Sequence, residues 1–555
     1  MNDTVARARE WLAQDPDPVT REELSMLLAR VEAGEGDAEA ELADRFDTRL
    51  EFGTAGLRGA LGAGPNRMNR AVVMRTAAGI AGWLGDTGAH VVIGHDARHR
   101  SADFARDSAA VLTGAGHRVS VLPEALPTPV LAFAVRDLRA DAGIMVTASH
   151  NPPEDNGYKV YVGGTGDDAG TQIVSPTDGE ISSAIDTVGP VGELPLGEGW
   201  TVLGPEMVER YLKAITAIVP AGPRELAVAY TPLHGVGGRV LVEAMERAGF
   251  SRPRVVTEQF APDPDFPTVM FPNPEEPGAM DRALAMGEAE GADVVLANDP
   301  DADRLAVAVP GYGLLTGNEI GALLAEYVLE HTTGERVVAT TIVSSSLLGE
   351  IASEHGVHYE ETLTGFKWLA RAGAPGQRRV FSYEEAIGYC LGSDTGRPVA
   401  DKDGIGAALV LAALAARARR DERTLVDLLD DQARRHGLYL SGQLSVRVED
   451  LSLLDTAMRR LRAEPPSALG PFRVEGIDDF VGGHASLPPT NALRLRLEDR
   501  GRVTLRPSGT EPKLKAYIEV VLDVTDDDVS AVRARGTSLL AELVSAVDAV
   551  VRLST

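Results

Sequence analysis

The sequence predicts an α/β protein, three similar α/β domains followed by a C-terminal α+β domain, and two observations carry that prediction. First, three segments repeat one plan of β-branched strand, polar or small-residue loop, helix-period stretch, glycine and second strand. They are HVVIGHDARHRSADFARDSAAVLTGAGHRVSVL (90–122), ELAVAYTPLHGVGGRVLVEAMERAGFSRPRVV (225–256) and RVVATTIVSSSLLGEIASEHGVHYEETL (336–363). Each reads as a βαβ unit, and Gly116, Gly249 and Gly356 fall where a helix C-terminus takes a left-handed residue. Recurrence at such wide spacing indicates related domains rather than a short-period solenoid. Second, from about residue 440 the pattern changes to short alternating strands, GQLSVRVED, NALRLRLED, GRVTLRPS and LKAYIEVVLDV, closed by a helix over 527–551. Strands grouped ahead of a helix mark an α+β unit.

Boundaries are expected in the Pro/Gly-rich VGPVGELPLGEGW (188–200) and its sequel, near 320, and near RRHGLYLSG (434–442). The expected domains are therefore 1–205, 206–320, 321–438 and 439–555. A chain of 555 residues is too long for one core and divides into about three to five domains.

Composition narrows the function classes. With 44% apolar and 25% charged residues the chain is neither disordered nor fibrous. Its 54 Lys and Arg against 82 Asp and Glu leave a net charge of −28, which argues against non-specific binding to nucleic acid or an anionic membrane. An anionic substrate would be repelled by the whole molecule, so its site must concentrate cations locally. The one cysteine, Cys390, cannot form an internal disulfide, which fits a reducing compartment, and it reads as a buried spectator. The first thirty residues carry acids throughout and no apolar leader core, and no stretch reaches the ~18 to 20 apolar residues of a membrane span. A cytoplasmic location is expected. Oligomeric state is left open.

TASHNPPEDNGYKVY (147–161) follows the apolar run AGIMV (142–146), so a buried strand delivers Ser149 to the carboxyl edge of a sheet, where open α/β folds hold ligands. A hydrolase reading would need His150 as the base. Adjacent residues on an extended chain point to opposite faces, and there is no G-x-S-x-G elbow, so that reading is disfavoured. A phosphorylated serine acting as phosphoryl donor, its charge balanced by a metal, is the other solution.

ANDPDADRLAV (297–307) sets Asp299, Asp301 and Asp303 at alternate positions after the strand ADVVL. Three carboxylates so close repel each other unless a cation lies between them, and hard oxygen ligands suit Mg2+. An EF-hand would require glycine and glutamate where Arg304 and Pro310 stand. A solvated acidic turn is the alternative. RPSGTEPKLK (506–515) joins two strands and offers Arg506, Ser508, Thr510 and backbone amides around Gly509 as an anion nest; a hairpin with ordinary surface cations is the alternative. Arg58 in EFGTAGLRG (51–59) and Lys367 in TGFKW (364–368) are expected on rigid loops and suit phosphate. With Lys159 they supply the local cations that the net charge demands.

Together these stretches resemble the α-D-phosphohexomutase superfamily, the phosphoglucomutases and phosphomannomutases. TASHNPPEDNGYK is similar to its phosphoserine loop, DPDADR to its metal loop, SYEEAIGY (382–389) to its sugar loop and RPSGTEPK to its phosphate loop, in family order. FGTAGLRG, TPLHGVGG, TGFKW and EEAIGY look closest to the bacterial phosphosugar mutase branch that includes phosphopentomutases. The resemblance implies four domains around a central cleft, closed over by the fourth. It makes Ser149 the phosphoryl carrier, with Mg2+ held against it by Asp299, Asp301 and Asp303 and with Arg304 in support. Glu384 and Glu385 would bind sugar hydroxyls, while Arg506, Ser508, Gly509 and Thr510 grip the unreacting phosphate; Lys367, read from its own stretch, is a further candidate for binding substrate. His150, Lys159 and Arg58 are candidates for moving the proton.

The expected activity is the interconversion of glucose 1-phosphate and glucose 6-phosphate, with glucose 1,6-bisphosphate as activator and intermediate. Phosphomannose or phosphopentose conversion is the enzymatic alternative, and a catalytically inactive sugar-phosphate binding protein is the non-enzymatic one. Related enzymes acting on glucose phosphate commonly carry serine where this chain has Ala386.

Overall fold

The computed structural model describes residues 2–52, 56–85, 88–447, 451–508, 513–525 and 528–554. They divide into two compact units. One comprises Met1–Leu314, Gly388–Leu391 and Arg397–Ala413, and the other Leu315–Ile387, Gly392–Gly396 and Leu414–Thr555.

The first unit opens with helices Asn2–Gln14, Pro18–Glu32 and Gly36–Phe46, which the sequence pattern left unassigned. They enclose Ala8, Leu24, Leu28, Leu42 and Phe46. Asp17 caps the second helix, accepting from the Val19 amide at 3.0 Å with proline at the first helical position, where a missing N–H costs nothing.

Behind these helices lies a six-stranded sheet ordered Leu57–Ala60, Asp155–Val162, Ala142–Val146, His90–His95, Arg118–Val121, Thr201–Val202. Its last four strands run parallel, and the other two are antiparallel to their neighbours. AGIMV is buried along its whole length, as a strand covered on both faces must be. The second sheet is ordered Gly313–Leu314, Ala306–Val309, Val294–Ala297, Val228–Thr231, Arg254–Val255. It places the acidic loop at the carboxyl end of Val294–Ala297.

In the second unit, Arg336–Thr341 lies between His358–Thr362 and Arg378–Glu384, all parallel. The three expected βαβ units are present, and Gly116, Gly249 and Gly356 take φ values of 90°, 90° and 62° after their helices. The C-terminal sheet is antiparallel: Leu438–Arg447, Lys513–Leu522, Arg502–Pro507, Leu493–Leu497, Phe472–Asp479, Ala468–Leu469. Two-residue periodicity sends Leu493, Leu495 and Leu497 into the core with Leu543, Val547 and Val551 of helix Val529–Ser554. Helix Leu451–Ala463 and strand Phe472–Asp479 add to the elements read from sequence.

Candidate active site

Ser149 stands just past the end of Ala142–Val146, in a left-handed conformation with φ of 52°. Non-glycine residues rarely adopt this conformation without support. Here the Ser149 amide donates to Thr147 Oγ1 at 2.9 Å, and the buried Arg98 guanidinium donates to the carbonyls of Ser149 (2.7 Å), Pro152 (2.7 Å) and Asp155 (3.1 Å), as well as to that of Asn151. Gly157 lets the neighbouring strand close on this loop, since a Cβ there would lie 2.5 Å from the Thr147 carbonyl oxygen. The same turn corrects one sequence expectation. Because Ser149 is not extended, the two side chains converge, and His150 Nδ1 lies 3.3 Å from Ser149 Oγ.

The Ser149 hydroxyl donates to Asp299 Oδ2 at 2.7 Å. Asp299, Asp301 and Asp303 are completely buried, with one ligand oxygen from each within 4.8 Å of the others. Lys159 Nζ bridges Asp301 and Asp303 at 2.8 Å each, Thr128 Oγ1 donates to Asp301 at 2.6 Å, and Lys402 Nζ is 3.4 Å from Asp303. The repulsion foreseen between the carboxylates is therefore met partly by the chain's own ammonium groups. Two acceptors remain over: Asp301 Oδ1 and Asp303 Oδ1 are buried without hydrogen-bond partners among the described residues. Unpaired carboxylate oxygens in an all-oxygen set fit a hard divalent cation such as Mg2+.

The electrostatics sort these groups. Burial, followed by the charges of Asp301 and Asp303, raises the Asp299 pKa well above the carboxylate range. Burial also opposes ionisation of Asp301, but Lys159 outweighs it and holds that pKa below the usual value. Lys159 stays charged, because its two carboxylates overcome the effect of burial and raise its pKa. For His150, burial and then Arg304, Arg58 and Lys402 lower the pKa well below the histidine norm, leaving a neutral imidazole at neutral pH.

Arg58 lies within strand Leu57–Ala60 rather than on a loop, opposite Gly157, with Nη1 3.3 Å from Asn151 Oδ1. Gly56 nearby allows the chain to close on the neighbouring strand, since a Cβ there would run into the Tyr158 carbonyl oxygen. Arg304 Nε lies 3.9 Å from Asp299 and 3.8 Å from Asp303.

The second unit carries the other predicted residues. Glu384 ends strand Arg378–Glu384 and Glu385 follows it. A Glu385 carboxylate oxygen accepts from Ser344 Oγ at 2.9 Å and Thr341 Oγ1 at 3.3 Å, and burial followed by the Glu384 charge raises its pKa. Lys367 sits in the short helix Phe366–Leu369 instead of an open loop, because the flanking Phe366 and Leu369 are buried. Arg506 is near the end of strand Arg502–Pro507, and the Ser508 amide closes the hairpin on the Lys513 carbonyl at 2.8 Å. Gly509 and Thr510 lie outside the described residues. Cys390 is buried, with Sγ 3.3 Å from the Val399 carbonyl.

Sequence reading passed over Arg98, Thr128, Lys402, Thr341 and Ser344. Arg98 and Ser344 could have been suspected from HDARHRS and TTIVSSS, polar runs at the carboxyl ends of predicted strands. Thr128 and Lys402 carry no such signal.

Compared with known proteins, the chain matches the phosphoglucomutase/phosphomannomutase α/β/α domain I over residues 49–189, domain II over 209–313, domain III over 316–436 and the C-terminal domain over 444–535. Three α/β domains and a distinct fourth, with a buried serine on an aspartate cluster, define a phosphosugar mutase, an isomerase that works by phosphoryl transfer. The chain belongs to the phosphoglucomutase/phosphomannomutase family of the α-D-phosphohexomutase superfamily. It is 42% identical over 461 residues to a probable phosphomannomutase of Haemophilus influenzae (81% of this chain, 93% of the relative). It is 35% identical over 520 residues to a phosphoglucomutase of Staphylococcus epidermidis (88% and 93%). A phosphopentomutase of Mus musculus is 33% identical over 595 residues (97% and 93%). No helix among the described residues is long and apolar enough to cross a membrane.

Proposed function

We propose that the protein interconverts glucose 1-phosphate and glucose 6-phosphate through a phosphorylated Ser149 and a glucose 1,6-bisphosphate intermediate. The observation that carries this reading is the 2.7 Å contact of the Ser149 hydroxyl with Asp299 inside a buried triad that has two unpaired oxygens. Asp299, Asp301 and Asp303 would hold Mg2+, which when bound would offset phosphate charge. The bond from phosphorus to Ser149 Oγ breaks as one forms to the sugar hydroxyl. That hydroxyl gives up its proton, and among the three candidates His150 is the best prepared to accept it: it is neutral, whereas Lys159 is ion-paired and Arg58 is a guanidinium. Ser149 Oγ takes up a proton as its bond to phosphorus breaks. In the return step the bond from the bisphosphate's other phosphorus to its sugar oxygen breaks as one forms to Ser149 Oγ, the serine proton leaves on the side of Asp299, and the freed sugar oxygen takes up a proton. Arg304 supports the serine phosphate. Glu384 and Glu385 accept from sugar hydroxyls, and Arg506, Ser508, Gly509 and Thr510, with Lys367, bind the phosphate that does not react. The domain division we propose, 1–205, 206–320, 321–438 and 439–555, gives one of the four loops to each domain.

Glucose is favoured because a hydroxyl missing at Ala386 changes preference by about tenfold at most. Pentose phosphate is the second reading, supported by alignment of the mouse phosphopentomutase over 97% of the chain. The test compares kcat/KM for glucose 1-phosphate, mannose 1-phosphate and ribose 1-phosphate, each with its bisphosphate. Glucose 1-phosphate should lead; a lead of more than tenfold for ribose 1-phosphate would overturn the substrate and leave the mechanism standing.

A further inference from the structure

The loop that follows strand Arg336–Thr341 is held from two sides. On one side, the hydroxyls of Thr341 and Ser344, 2.8 Å apart, both contact the half-buried Glu385 carboxylate. The Glu385 amide also donates to Ser344 Oγ at 3.2 Å. On the other side, the C-terminal sheet reaches the same loop through several side chains. Arg494 Nη2 donates to the Ile342 carbonyl at 2.9 Å, Arg502 Nη2 donates to the Ser344 carbonyl, and Glu519 accepts from Ser346 Oγ at 2.6 Å. Arg494 and Arg502 also share Glu361, at 3.0 and 2.9 Å, and Arg502 Nε meets Glu519 at 3.0 Å.

We propose that Ser344 is a positioning residue that links the sugar-reading carboxylate to the seating of the C-terminal domain, its hydroxyl setting Glu385 and its carbonyl held by Arg502. The inference rests on the reading of Glu385 as an acceptor for sugar hydroxyls. Arg502 and Arg506 are four residues apart on one strand, so they share a face, and the strand that offers Arg506 to phosphate is the one that fixes Ser344. A buried arginine with two carboxylates and a carbonyl is held in one geometry. Phosphate capture and hydroxyl reading are thereby coupled through one residue that need not touch substrate.

The experiment uses the full-length protein and the variants Ser344→Ala, Ser344→Thr, Arg502→Lys and Ser344→Ala with Arg502→Lys. Dissociation constants for glucose 1-phosphate and for inorganic phosphate are measured by calorimetry, together with KM, kcat and phosphoserine content by intact mass. Ser344→Ala should weaken glucose 1-phosphate about fivefold to tenfold, the size of one hydrogen bond, leave inorganic phosphate unchanged, raise KM more than it lowers kcat, and be rescued by threonine. The double variant should bind no worse than the weaker single one, because both changes cut the same link. If Arg502→Lys does not fold, Glu361→Gln slackens Arg502 and takes its place. An unchanged dissociation constant in Ser344→Ala, or multiplying effects in the double variant, would overturn the proposal while leaving the functional reading intact. Wild-type protein that binds glucose 1-phosphate without phosphoserine or turnover would overturn the functional reading instead, and wild-type protein that binds neither ligand would overturn both.

Discussion

The aspartate loop and the sugar loop both bury carboxylates, yet they stabilise them in different ways. Asp301 and Asp303 are countered by an ammonium group at 2.8 Å, and their charges persist without access to water. Glu385 is held by two hydroxyls, and burial raises its pKa. An ammonium fixes charge for chemistry, whereas hydroxyls orient a carboxylate and leave its acceptor capacity for a ligand. On the function proposed above, the first region would balance a phosphate and the second would read a neutral sugar.

Substitutions should separate the two regions by magnitude. Ser149→Ala removes the nucleophile and should lower kcat by on the order of 10^4 or more in a coupled mutase assay, with loss of the phosphorylated species in the mass spectrum. Substantial turnover in that variant would end the comparison, since the first region would then have no chemical role. Asp301→Ala should lower kcat by on the order of 10^3, and chelator should do the same reversibly. It also takes one of the two carboxylates from Lys159, which keeps Asp303 at 2.8 Å, so the thermal midpoint should fall, but by less than for a fully broken buried pair. Arg506→Ala, in the phosphate loop of the same unit as the sugar loop, should raise KM about 10- to 100-fold, the value of a charge-assisted hydrogen bond, with a smaller change in kcat.

Acid–base stability sharpens the contrast between the units. In the first unit Asp403 accepts from Tyr211 and from the amides of Ile405 and Gly406, but burial prevails and its pKa is raised to about 6. Its folded value lies above its unfolded one, so its contribution is full below about pH 4, and up to about 3 kcal/mol is lost as pH rises through 6. In the second unit burial also opposes ionisation of Glu361, but Arg494 and Arg502 outweigh it and lower its pKa. Its contribution is present above the unfolded value and is lost as pH falls through the folded one. Thermal midpoints against pH should therefore lose their fall between about pH 4 and 6 in Asp403→Asn and their acid-side loss in Glu361→Gln. The smallest effect is expected at Cys390, where alanine should leave kcat/KM within about twofold and cost about 1 kcal/mol or less.

How much was legible depends on the range of the interactions. Ser149, the three aspartates, Glu384, Glu385 and Arg506 announce themselves because reactive groups crowd the ends of apolar strands, and a βαβ unit writes its glycines and strand pattern into adjacent residues. The helices over 2–46 went unread because amphipathic helices that pack on one another need no motif. The His150 position was misjudged because one left-handed φ at Ser149 reverses the rule for extended neighbours, and support for that φ comes from Arg98, about fifty residues away.

Local pattern therefore determined the fold class, the order of the four loops and the residue types able to move a phosphoryl group, since each of these is encoded within a few turns or strands. Tertiary structure alone decided which charges balance. Lys159 reaches Asp301 and Asp303 across more than 140 residues, and Arg502 reaches Ser344 across 158. A buried charge selects its partner by distance in space and by the loss of water around it, and neither quantity is written in the spacing of a sequence.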